Sequence, residues 1–97
     1  MVLRFEWDVT KARINLQAHG VSFDEAATVF RDRLACILDD PDHSVEESRE
    51  IIIGLSAGGR LLLVSFTERA EVTVRIISAR VATRRERGNY EESGKKS

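Results

Sequence analysis

The sequence predicts an α+β fold: a short N-terminal strand, two helices, an antiparallel four-stranded meander and a C-terminal helix. Three observations predict it. Between residues 34 and 80, four apolar, β-branched segments are separated by short turn signals, which suit hairpins rather than crossovers. Between residues 23 and 30 the apolar residues follow a helical period instead. After the last strand, Thr83 and Glu86 have the spacing of a capping box.

The elements follow in order. Val2–Trp7 reads as a short strand with Leu3, Phe5 and Trp7 on one face. Asp8 or Thr10 caps a helix over about Lys11–His19, and Gly20 closes it from a C′ position. Ser22 and Glu25 form a second capping box. Phe23, Ala26, Ala27 and Phe30 then stand at i, i+3, i+4 and i+7, a stripe expected in the core. Leu34–Leu38, Ser48–Ser56, Arg60–Thr67 and Val72–Arg80 are the four strands. Their connections are a turn at Asp39–His43 enforced by Pro41, the hairpin Ala57-Gly58-Gly59, and a turn at Arg69–Glu71. Leu61–Val64 is apolar throughout, which suits a central strand covered on both faces. Thr83–Glu92 is the last helix. The helices are expected to pack on one face of the sheet. Residues 1–92 make one domain, and 93–97 a disordered tail.

Composition narrows the classes. The 97 residues are 42% hydrophobic and 32% charged, which suits one soluble core. No apolar run is long enough to span a membrane, and the N-terminus lacks a signal-peptide pattern. The lone Cys36 is expected to be a buried small hydrophobe. These features favour the cytoplasm. The net charge of −1 hides an asymmetry: residues 1–50 carry 6 Lys/Arg against 11 Asp/Glu, and residues 51–97 carry 9 against 5. The positive half holds seven arginines, the cation best suited to bidentate phosphate contacts.

The segment Arg75–Arg87 is the most informative. Arg84, Arg85 and Arg87 occupy the first turn of a helix, where the macrodipole is positive and cations are disfavoured. Guanidiniums beside free helix N–H groups suit a phosphate. The competing reading is a solvated Arg/Glu surface. Arg75 and Arg80, five residues apart, are expected on opposite faces of their strand, so that one of them needs a partner or marks a site. His43, in an acidic turn, is a candidate acid or base, or a solvated loop residue. His19, in a last helical turn, is read as structural. Glu47 and Arg49 form a possible pair, and either could meet Arg75 or Arg80 on a neighbouring strand. The group Asp39, Asp40, Asp42 and His43 lacks the glycine and terminal glutamate of a calcium loop and is read as an acidic surface loop, so no metal or cofactor is expected. No phosphate-binding glycine loop or nucleophile elbow is present.

Phe5-Glu-Trp-Asp8, Lys11, Asn15, His19-Gly-Val21, Phe23, Ala26, Phe30 and Asp32 resemble the opening of the BrnT-type toxins. Asp40, His43-Ser44, Glu47, Arg49, Ile53-Gly54, Arg60, Thr67-Glu-Arg69 and the Arg75–Tyr90 segment continue the likeness, which covers about residues 4–92. Three positions depart from the family pattern: Val9 follows Asp8 in place of proline, Ala18 replaces a lysine, and Val81 stands where a basic residue or proline is frequent. The loss of lysine at position 18 weakens a nucleic-acid role for that helix.

The resemblance implies a RelE-like fold and a ribonuclease toxin of a type II toxin–antitoxin system that cleaves RNA and inhibits translation. It implies a hetero-oligomer with a ribbon-helix-helix antitoxin similar to BrnA, which binds operator DNA and would cover the arginines. RNA cleavage through the 2′-hydroxyl needs charge stabilisation at phosphorus and proton transfer. Arginines supply the first and cannot act as bases. Arg80, Arg85, Arg49, His43 and Glu47 are therefore the catalytic candidates, and Lys11, Arg75, Arg84 and Arg87 the RNA-binding ones. The residues do not choose among His43, Glu47, Glu86 and Lys11 as proton carriers. The alternative function is an interaction module that binds an antitoxin or nucleic acid without catalysis.

Overall fold

A computed structural model describes residues 3–40 and 49–95. The elements run β1 (Arg4–Glu6), α1 (Val9–His19), α2 (Phe23–Thr28) with a 3₁₀ turn (Val29–Arg31), β2 (Cys36–Asp39), β3 (Arg49–Leu55), β4 (Leu61–Ala70), β5 (Thr73–Val81) and α3 (Arg84–Lys95). The expected order therefore holds. The strand of residues 34–38 starts later, at Cys36, and Cys36 is half-buried rather than buried. β4 runs through the expected turn to Ala70, so that the chain reverses at Glu71 and Val72. α3 continues to Lys95, past the expected end at Glu92.

Local chemistry explains the helix ends. Asp8, not Thr10, caps α1, accepting from the Lys11 N–H at 3.0 Å. Gly20 ends it at φ 68°, a conformation that costs glycine nothing. The Ser22 hydroxyl accepts from the Glu25 N–H at 3.0 Å. The Glu25 carboxylate is drawn to Arg60 instead of back to the cap, and accepts from the Ser56 hydroxyl at 2.7 Å. Arg60 also donates to the Gly20 carbonyl at 3.1 Å, which ties the β3–β4 hairpin to α2. Gly59 takes φ 83° in that hairpin.

The strand order is β1-β5-β4-β3-β2. β2 to β5 form the expected antiparallel meander, and β1 joins the same sheet parallel to β5. The larger core lies under α1 and α2: Phe23, Ala26 and Val29 pack on Ile52, Leu62, Val64, Phe66, Val74 and Ile76. Phe30 packs tilted against Phe5 and edge-on to Phe66, with ring centroids 5.2 and 5.0 Å apart.

The expectation that the helices share one face fails for α3. Ile53, Leu61 and Leu63 point the other way and pack with Tyr90 of α3. A strand apolar on both faces needs a cover on both, which explains why Leu61–Val64 is fully buried. α3 is a poor apolar helix. Its more sheltered positions, Glu86, Tyr90 and Ser93, form a narrow stripe at helical spacing. Two carboxylate contacts hold it. Glu86 meets Arg80, and the Tyr90 hydroxyl donates to Asp32 Oδ2 at 2.7 Å. Among the described residues, no helix is long and apolar enough to cross a membrane.

Candidate active site

The face that α3 covers only in part carries the arginines. β5 slips register against β4: Ser65 faces Ser78 but Phe66 faces Ile76, which leaves Ile77 as an extra residue. Such a bulge shifts the phase of a strand by one residue. Val74, Ile76 and Ala79 are accordingly buried under α1 and α2. Arg75, Ser78 and Arg80 emerge together on the α3 side. The expectation that Arg75 and Arg80 occupy opposite faces is thus corrected, because simple alternation does not survive an inserted residue.

Cross-strand partners define the face. One row runs Arg49, Thr67, Arg75 and Glu6 across β3, β4, β5 and β1. The next holds Leu38, Ile51, Ser65 and Ser78, and a third Cys36, Ile53, Leu63 and Arg80. The surface therefore grades from polar at the first row to apolar beneath Tyr90. β4 lies between β3 and β5, so Arg49 is not the cross-strand neighbour of Arg75 or Arg80. Two strand spacings, roughly 10 Å, separate it from Arg75.

Each arginine has a defined setting. Arg75 Nη1 donates to Glu6 Oε2 at 2.9 Å, with both side chains more than a third exposed, a pair worth less than about 1 kcal/mol. Arg80 is gripped fork-to-fork by Glu86, Nη1 to Oε1 and Nη2 to Oε2 at 2.8 Å each. Nη1 also donates to the Val81 carbonyl at 3.3 Å. Among the described residues this leaves the Arg80 Nε–H and one Nη2 N–H for a ligand. Glu86 completes the expected capping box, accepting from the Thr83 N–H at 2.9 Å while its own N–H donates to the Thr83 hydroxyl at 3.2 Å. Arg84, Arg85 and Arg87 are exposed in the first turn of α3 beside this knot and make no side-chain ion pair among the described residues.

Electrostatics assigns Glu86 a role. The Arg80 hydrogen bonds, opposed by burial and helped by Thr83, hold its carboxyl at about 2, against an ordinary 4.5. Such a group is a permanent anion at neutral pH and a weak base. Because the folded value lies below the unfolded one, the pair stabilises the fold fully above about pH 4.5 and loses its effect as the pH falls toward 2. Arg80 is 39% exposed, so the contribution is discounted to on the order of 1–2 kcal/mol. Urea midpoints of the parent should fall through that window, and Glu86→Gln should fall less steeply.

The remaining candidates divide. Lys11 lies round the edge of the sheet, in a groove with Ile14, Asn15, Ala18, His19 and Ile77. Asp8, whose carboxyl is lowered chiefly by its Lys11 hydrogen bond, also senses the charge of Arg75 and links the two places. His43 and Glu47 lie outside the described residues. So do three of the five residues of the expected Asp39–His43 turn, and among the described residues no group of three or more His, Cys, Asp and Glu is arranged for a metal.

Reading the residues missed Thr67, Ser65, Ser78 and Glu6 as parts of the arginine face. Small polar residues interrupting apolar strands were the available signal. It also missed Asn15. Its amide donates to the Ala79 carbonyl at 2.8 Å and accepts from the Ala79 N–H at 3.1 Å, closing the β5 edge where β1 has ended.

The site thus sits on a mixed sheet whose polar, arginine-bearing face lies beside a C-terminal helix. The 1.1 Å crystal structure of the Brucella abortus ribonuclease toxin, BrnT, shares the fold, with a TM-score of 0.67 and 21% identity over 86% of this chain and 100% of that one. Among curated proteins none matches the sequence. The profile of the ribonuclease toxin BrnT of type II toxin–antitoxin systems matches residues 7–86, and the chain belongs to that family. It is a ribonuclease toxin whose partner is an antitoxin.

Proposed function

We propose that the chain is a metal-independent endoribonuclease that works through its arginine face. One observation carries the reading: the Ile77 bulge aligns Arg75 and Arg80 on the side of the sheet that also bears Arg49 and leads to Arg84 and Arg85. In the reaction the 2′-oxygen loses its proton and attacks phosphorus, the P–O5′ bond breaks, and the 5′-oxygen gains a proton. Arg80 and Arg85 stabilise the charge that builds on the phosphoryl oxygens, with Arg49 across the sheet. Arg75, Arg84, Arg87 and Lys11 hold flanking phosphates. Glu86 stays paired with Arg80, so proton transfer falls to His43 or Glu47.

The resulting loss of RNA inhibits translation in the cytoplasm. A ribbon-helix-helix antitoxin similar to BrnA neutralises the toxin as a hetero-oligomer and carries the contact with operator DNA. Residues 1–92, with the last turn of α3, form the single toxin domain. The competing module reading draws on the Arg80–Glu86 pair, which gives Arg80 a structural task.

Incubation of the purified chain with RNA tests the proposal. Cleavage should persist in EDTA and leave 2′,3′-cyclic phosphate ends. Loss of cleavage in EDTA, restored by a divalent ion, would refute metal independence. No cleavage under any condition favours the module.

A further inference from the structure

The opposite side of the sheet carries a feature the nuclease reading does not use. Beyond the reach of α1 and α2, Leu3, Phe30, Ile37, Phe66, Val72 and Val74 line an apolar cavity of about 170 Å³. Its mouth is open to solvent, with Leu3 41% and Ile37 54% exposed. Glu68 and Glu71 stand on its wall. Glu50 lies opposite Phe66 in the register, and Asp39 opposite Glu50, on the same face. Burial and the charges of Glu68 and Asp39 raise the Glu50 carboxyl above its usual range. These carboxylates repel one another, and among the described residues no cation offsets that repulsion at Glu50.

We propose that this groove docks the antitoxin, taking one large apolar side chain of it with lysines or arginines on either side. The proposal rests on the family reading only in naming the partner. Glu68 and Glu71 on the cavity wall, with Glu50 and Asp39 on the same face of the sheet, exclude RNA, whose phosphates they repel. The cavity is below the 300–1,000 Å³ or so of small-ligand sites and suits one anchor residue of a protein. A second copy of this chain fits poorly, because its own basic turn, residues 84–89, contains no apolar side chain to fill the cavity. The groove lies on the α1/α2 side and the arginines on the α3 side, so gripping the toxin and silencing it are separable tasks of the antitoxin.

Titration calorimetry of the full toxin with its cognate antitoxin tests the assignment. The variants are the exposed double substitution Glu68→Lys/Glu71→Lys and the exposed Ile37→Asn. Each should weaken binding about tenfold or more at low salt. The loss from charge reversal should shrink at about 0.5 M salt, while that from Ile37→Asn should not. Free variants should cleave RNA as the parent does. Unchanged affinity in both variants overturns the proposal. So does loss of self-association in sedimentation with antitoxin binding intact, or a parallel loss of RNA cleavage. A parent that cleaves no RNA refutes the nuclease reading and leaves the binding result standing.

Discussion

Arg80→Ala should reduce RNA cleavage by about tenfold to a hundredfold while the protein stays folded. A charge-assisted bond made in the transition state is worth roughly 1.5–3 kcal/mol, which sets that range. The structure supplies a reason why the loss is not larger. Arg80 already shares both terminal nitrogens with Glu86, so a phosphate meets a partly neutralised guanidinium through what remains. Arg85→Lys should lose less, because the ammonium keeps the charge and forfeits the fork. The fold should survive Arg80→Ala, since Tyr90 and the Thr83 cap still anchor α3. Circular dichroism beside the cleavage assay separates the two effects. A folded Arg80→Ala protein with full activity would make the Arg80–Glu86 pair a structural bridge and nothing more. His43→Ala is the companion measurement, and a loss larger than that of Arg80→Ala would assign the proton transfer to His43 rather than Glu47.

Asp32→Ala should cost about 2–4 kcal/mol of stability, more than replacing any arginine of the arginine face. Asp32 accepts from the Leu34 N–H at 2.9 Å, the Leu55 N–H at 2.8 Å and the Tyr90 hydroxyl at 2.7 Å. Burial acts against its charge, yet these bonds prevail and hold the carboxyl below its usual range. Burial, helped by the hydrogen bond to Asp32, pushes the Tyr90 hydroxyl up to about 12. Asp32 also lies close against β3 at a glycine. A Cβ on Gly54 would stand 2.9 Å from Val29 Cγ1 and 3.2 Å from Asp32 Oδ2. Tyr90→Phe removes one of the three bonds and should cost about 1 kcal/mol. Urea denaturation of both variants checks this. A loss below about 0.5 kcal/mol for Asp32→Ala would mean that water replaces the carboxylate without cost. Because Asp32 holds α3 in place, its loss should also lower RNA cleavage, by loosening the element that carries Glu86 and Arg85.

The sequence alone determined the local elements. Asp8, Ser22 and Thr83 start their helices, and Gly20 and Gly59 mark turns, because a cap or a positive φ involves residues no more than four apart. The α2 stripe and the doubly covered Leu61–Val64 were legible because periodicity records burial directly. The arginine cluster was legible as a broken dipole rule.

The tertiary structure decided three matters. β1 pairs parallel with β5 although more than sixty residues separate them, and nothing local selects that partner. α3 crosses to the opposite face because Ile53, Leu61 and Leu63 need a cover there, a demand visible only once β3 and β4 are in register. The phase of Arg75 relative to Arg80 depends on the extra residue Ile77. A bulge is a mismatch between two strands, so neither strand contains it alone.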